Sequence, residues 1–230
     1  MFMKRASHKK TRIVQKDILA LSLCVVVPAI FGVISRDLVI GGSLFATGLL
    51  TSYLAGMQKR INSIFAIINA LLIAYVALKN NLFGQFAVNA FVFAPLELYG
   101  FITWGRHLDT KKNVKIRKLS PRGAALLLSG CILGSMLGGY LLTRIPNQNL
   151  AFLDATICCL DIAAIIIINL RYREAWWLWI ISGALSVAMW VTTLNSGGEN
   201  AFMRLLSALG FFVISIYGLL RWSRKLRRKR

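Results

Sequence analysis

Apolar residues gather along the chain into eight stretches, at roughly 17–35, 38–57, 61–79, 82–104, 123–143, 149–170, 174–195 and 199–222. Each approaches the ~20 residues that a helix needs to cross ~30 Å of hydrocarbon. The pattern therefore predicts an all-α integral membrane protein of about eight transmembrane helices. Short loops carrying Lys, Arg, Gly or Asn separate the stretches, leaving no extramembrane domain. Only the basic linker 105–122 is long enough to set two halves apart.

Polar residues interrupt the fourth stretch in a regular way. In GQFAVNAFVFAPLELYGFITW (84–104), Asn89, Phe93, Glu97, Gly100 and Trp104 step by 4, 4, 3 and 4, which places them on one helix face. Pro95 has no N–H, so the carbonyl of Phe91 loses its partner and a bend is allowed. Ionisable groups inside a membrane are costly and mark function by default. A polar stripe ending in aromatics suits the wall of a substrate pathway; the competing reading is a packing face that contains an amide and an acid.

Two further stretches carry candidates. In the seventh, Trp176, Trp179, Gly183, Ser186 and Trp190 share a face. An interfacial aromatic belt accounts for Trp176 and Trp177, and belt plus packing competes with a groove wall for the rest. As a wall, flat aromatics would stack on a flat ring or attract a cation. In the sixth, Asp154 and Asp161 lie seven apart on the face of Cys158. They line the pathway, pair with Arg204 or relay a proton. Asn62 and Asn69, also seven apart, read as interhelical hydrogen-bonding amides.

Composition sharpens this picture. The chain is 57% hydrophobic with mean hydropathy +0.64, above the ~45–50% of soluble domains. Its net charge of +20 would suggest nucleic acid in a soluble protein, but the charge lies in loops and tails, so a nucleic-acid partner is excluded. Twenty-four Lys and Arg fall in the two termini and the 2–3, 4–5 and 6–7 loops, against Arg36, Lys79 and Arg144 in the alternate loops. This bias predicts a multi-pass protein of the cell inner (plasma) membrane with both termini cytoplasmic. Residues 1–16 are basic, but the apolar run after them has spanning length and no small-residue cleavage site, unlike a cleaved signal. The basic tail RWSRKLRRKR serves as a topology anchor or meets anionic membrane lipid.

Cys24, Cys131, Cys158 and Cys159 all fall in apolar stretches without a CxxC pair, as buried small hydrophobes do. His8 and His107 have no ligand-spaced partners, so neither metal nor cofactor is expected. No nucleophile–base–orienter set or phosphate loop is found, which favours a permease over a membrane enzyme.

The chain also resembles itself. YGFITWGR (99–106) and YGLLRWSR (217–224) share Tyr-Gly, Trp and Arg at an offset of 118 residues. The period of four spans makes the copies parallel, as in one class of transporters that hold substrate between repeats. The predicted organisation is a basic cytoplasmic N-terminus (1–16), an extra transmembrane helix (17–35) and a first three-helix repeat (38–104). A basic linker and linker helix (105–143), a second three-helix repeat (149–222) and a basic cytoplasmic tail (223–230) follow.

Several stretches resemble the PnuC-type nicotinamide riboside transporters. They are Asn89…Pro95-Leu96-Glu97…Gly100…Trp104, Phe152-Leu153-Asp154-Ala155, Arg173-Glu174-Ala175-Trp176…Trp179 and Tyr217-Gly218…Trp222. The resemblance implies a SWEET-like pair of three-helix bundles joined by a linker helix, assembled as a homotrimer. It implies facilitated diffusion of nicotinamide riboside, with a cytoplasmic kinase trapping the product. Related members take thiamine or riboflavin, and proton-coupled transport through Asp154 and Asp161 is a further alternative. The family pattern has Gln where this chain has Glu97 and Asn where it has Gly183; an acid at 97 suits a cation such as nicotinamide riboside or thiamine. The substrate-binding set expected is Asn89, Phe93, Glu97, Trp176, Trp179, Gly183, Ser186, Asp154 and Asp161.

Overall fold

A computed structural model describes residues 2–106 and 115–227, with side chains from Gln15 onward except Lys16. Of the basic residues counted above, the side chains of 4–12 and 16, and all of Lys111, Lys112 and 228–230, lie outside the described residues; so do the side chains of His8 and His107. The described chain is helical, and eight of its helices are long and apolar enough to cross a membrane. We label them α1 (Phe2–Ile34), α2 (Leu38–Gly56), α3 (Asn62–Lys79), α4 (Phe83–Trp104), α5 (Pro121–Leu142), α6 (Ala151–Asn169), α7 (Ala175–Asn195) and α8 (Ala201–Arg227).

The ends differ from the hydropathy pattern where capping and charge intervene. α5 starts at Pro121, two residues before the apolar run, because Ser120 Oγ accepts from the Gly123 amide at 3.1 Å and Pro tolerates the first turn. α8 continues to Arg227, since basic side chains favour a helix C-terminus.

Six helices close into a ring in the order α2, α3, α4, α6, α7, α8 and back to α2. The other two sit outside it, α1 against α2 and α5 against α6. Two apolar clusters occupy opposite ends of this ring. One gathers Trp104, Ile168, Trp176, Leu219 and Trp222 at the end of the basic loops. The other gathers Leu44, Val76, Leu82, Ile157 and Trp190 at the far end. Outside, Val39, Phe91, Leu126 and Leu133 are exposed, as a hydrocarbon solvent permits.

The described end of the 4–5 linker is bonded to its surroundings. Arg117 N–H donates to Arg171 O at 2.8 Å, and Arg173 N–H donates back to Arg117 O at 3.1 Å. Leu119 N–H donates to Glu174 Oε2 at 2.9 Å. These bonds tie the linker to the loop between α6 and α7.

Candidate functional site

Between the two apolar clusters the ring encloses a cavity that carries polar side chains on a largely apolar wall, lined by all six of its helices. α4 supplies Gln85, Asn89, Phe93 and Glu97; α2 supplies Gly48, Thr51 and Ser52; α3 supplies Asn69. Asp161 comes from α6, Trp179 and Ser186 from α7, and Arg204, Ser207 and Phe211 from α8. The space not occupied by atoms is about 780 Å³, its solvent-facing part included.

The geometry of α4 explains how four of its residues reach one wall. At 3.6 residues per turn, twelve residues from Gln85 to Glu97 would leave the two about 120° apart. Residues Asn89–Phe93 form a π turn, which takes up one extra residue and restores the alignment. The turn ends two residues before Pro95, where the chain already lacks one amide donor.

Three charged side chains meet this cavity. Glu97 is 7% exposed. Asp161 accepts a hydrogen bond from the Ser182 hydroxyl of α7. Arg204 lies with its guanidinium carbon 5.3 Å from the centroid of the Trp190 ring. The charges of Asp161 and Arg204 act on each other, yet no ion pair within 4.0 Å joins them. Asp161 thus lines the cavity while its direct partner is a hydroxyl.

Several polar atoms here are buried without a partner: Thr51 Oγ1, Asn89 Oδ1 and Arg204 Nε. Buried polar groups are almost always bonded, so these atoms are positions where water or a ligand completes the site. Asn89 Nδ2 donates to Gln85 O at 2.8 Å, which turns its oxygen outward from its own backbone.

A second, smaller cavity of about 380 Å³ continues toward the basic-loop end. Thr51, Ser52, Glu97, Trp179 and Phe211 line both, so Glu97 stands at the junction. Three tryptophans close the way beyond it. The Trp176 ring centroid is 5.8 Å from Trp222, and Trp104 is 6.3 Å from Trp222. Trp176 also meets Trp179 edge-on at 5.2 Å, and Trp179 meets Phe211 at 5.9 Å.

Six of the nine expected residues therefore line the central cavity: Asn89, Phe93, Glu97, Trp179, Ser186 and Asp161. Trp176 does not; it is fully buried against Gly218 and faces the smaller cavity. Gly183 does not either, because a Cβ there would stand 3.3 Å from the Phe212 backbone, where α7 and α8 pack closely. Asp154 is also outside. Its carboxylate accepts from the Gly84 and Gln85 amides, each at 2.9 Å, and from Gln148 Nε2 at 3.0 Å. It caps the N-terminus of α4, whose first amides have no partner within the helix.

Other lining residues escaped the sequence patterns. Asn69 does form the expected interhelical bond, donating to Leu44 O at 2.7 Å and Thr47 Oγ1 at 3.1 Å, but it also faces the cavity. Asn62 lines the smaller cavity with Oδ1 unpartnered. Ser207 and Phe211 stand 118 residues after Asn89 and Phe93, so the internal repeat was the signal that could have found them. Among the described residues no His, Cys, Asp and Glu side chains come together as a metal-holding group.

Comparison with known proteins gives concordant matches. A family profile described as "Nicotinamide mononucleotide transporter" matches residues 39–224. The chain is 27% identical over 207 residues to the nicotinamide riboside transporter PnuC of Neisseria mucosa, covering 88% of this chain and 78% of that one. It is 28% identical over 185 residues to the protein of the same name from Haemophilus influenzae, covering 79% and 78%. A crystal structure of the vitamin B3 transporter PnuC superposes with a TM-score of 0.82 at 27% identity, covering 92% of each chain.

Proposed function

The chain belongs to the nicotinamide mononucleotide transporter family, and on that footing we propose that it takes up nicotinamide riboside by facilitated diffusion. It is a multi-pass membrane transporter and not an enzyme. The observation that carries the substrate is Glu97, a carboxylate buried within a membrane-spanning helix, on one wall with Asn89 and in the same cavity as Trp179. Nicotinamide riboside offers a flat cationic ring for the acid and the indole, and hydroxyls for Asn89, Thr51 and Ser207.

The lining also argues against a phosphorylated cargo. Glu97 and Asp161 outnumber Arg204, so the wall has no surplus of cations to hold a phosphate. A cationic riboside matches it. Movement would alternate access between the two ends of the ring, with α4 bending at its π turn and the three tryptophans parting. The excess of Lys and Arg supports a cytoplasmic placement of both termini, and the family resemblance supports a homotrimer.

A second reading rests on the same carboxylate. An acid reads charge more than ring identity, so thiamine, also a flat cation, is the competing substrate. The test is uptake of labelled nicotinamide riboside into vesicles holding the purified protein. Internal label should reach the external concentration and stop, unlabelled riboside should compete, and the mononucleotide should not. Competition by thiamine at lower concentration than by riboside would reassign the substrate. Uptake of neither would overturn the proposal, and the mass of the purified complex tests the trimer.

A further inference from the structure

A pocket that transport leaves unused lies where α2 ends and α8 emerges, on the face of the basic loops. Gln58 walls it on one side; Tyr217, Leu220, Arg221, Arg224 and Lys225 wall it on the other. Three of these are cations, and none of the lining residues is an acid. Gln58 follows the last turn of α2 at φ 63° and is 3% exposed. Its Oε1 accepts from Lys225 Nζ, and its Nε2 is a buried donor without a partner.

The neighbouring cations are held in place. Arg221 Nη1 donates to the Tyr217 hydroxyl at 2.5 Å, and the Tyr217 ring stacks on Tyr53 at 6.0 Å. Asp17 accepts from the Tyr53 hydroxyl at 3.0 Å and does not line the pocket. The buried, unpartnered Gln58 Nε2 beside the Arg221 and Arg224 guanidinium groups describes a seat for an anion, and guanidinium groups suit phosphate oxygens.

The surroundings select which phosphate. Leu220 is 50% exposed, Tyr217 38% and Val213 62%. With Arg224 they step by 4, 3 and 4 along one face of α8. An apolar track thus leads from the cationic seat along the lipid-facing side of the helix. Free phosphate or a nucleotide has no use for that track; an acyl chain does. We infer that the Gln58–Arg221–Arg224 pocket binds the headgroup of an anionic phospholipid, whose chain lies along Leu220 and Val213. Basic pockets between spans are a general means of recognising such lipids.

The test is thermal melting of the full-length protein in detergent, with phosphatidylglycerol or phosphatidylcholine added. Phosphatidylglycerol should raise the melting temperature and phosphatidylcholine should not. Replacing exposed Arg224 by Gln should weaken the apparent phosphatidylglycerol affinity roughly fivefold, and Gln58→Leu should weaken it without removing any charge. Replacing Arg227, Arg228, Lys229 and Arg230 together by Gln should leave it nearly unchanged. The inference is overturned if both lipids stabilise equally, if only the tail replacement matters, or if inorganic phosphate alone reproduces the shift.

Discussion

Trp104 and Trp222 meet at 6.3 Å, with ring planes 48° apart, although each closes a different span. They occupy matching places in the two parallel copies of the repeat. The correspondence continues inward through Gly100 and Gly218, Phe93 and Phe211, and Asn89 and Ser207, all 118 residues apart. Phe93, Phe211, Asn89 and Ser207 face the central cavity. One pair breaks the match: opposite Glu97 stands Ser215, whose hydroxyl donates to Phe211 O at 2.8 Å within its own helix.

Charge reading by Glu97 is directly testable. Glu97→Gln keeps shape and hydrogen-bonding capacity but removes the ion pair with a cation. Breaking one side of a partly desolvated pair costs ~2–5 kcal/mol, so affinity for nicotinamide riboside should fall by more than tenfold. A neutral analogue of the same shape should bind the variant about as well as wild type. Equal losses for both ligands, read by titration calorimetry, would show that Glu97 shapes the site and does not sense charge.

Asp161 separates uniport from proton coupling. Its carboxylate accepts from the Ser182 hydroxyl, and on the proposed function it acts as a fixed part of the wall. Asp161→Asn should leave uptake independent of an imposed pH gradient, as in wild type. Concentrative uptake by wild type under a proton gradient, abolished in the variant, would establish coupling.

Asp154 is expected to act on stability and leave transport intact. Asp154→Asn presents an amide donor toward backbone donors at Gly84 or Gln85, and one unpaired buried group costs ~1–3 kcal/mol. The melting temperature should drop, while the protein that remains folded keeps its affinity for substrate. Normal melting with lost transport would assign Asp154 to the pathway after all.

Topology follows from the alternation of basic loops. A cysteine at Asn81 or Ser196 should react with an impermeant thiol reagent in intact cells, and one at Lys118 only after lysis. The reverse pattern would invert the orientation.

Much of this arrangement was legible in the residue pattern. The eight spans appear as hydropathy, and the stripe Asn89–Phe93–Glu97 appears as spacing because one helix carries it. Gln85 was hidden, since only the π turn brings it into register with Glu97. Asp154 misled for a different reason: its partners, the amides of Gly84 and Gln85, are backbone groups about seventy residues away, which no side-chain pattern reveals. Gly183 and Trp176 share a face with Trp179, yet the close approach of α8 covers the first and Gly218 receives the second. α2 contributed Gly48, Thr51 and Ser52 unnoticed, because small and weakly polar residues are ordinary in a packed membrane helix.

A cavity assembled from two parallel copies would offer an asymmetric ligand two equivalent ways to lie, head one way or the other. The carboxylate at 97, whose counterpart in the other copy is a serine already engaged with its own backbone, removes that degeneracy. On the proposed function, a cation entering from either end of the ring would meet one energetically preferred heading.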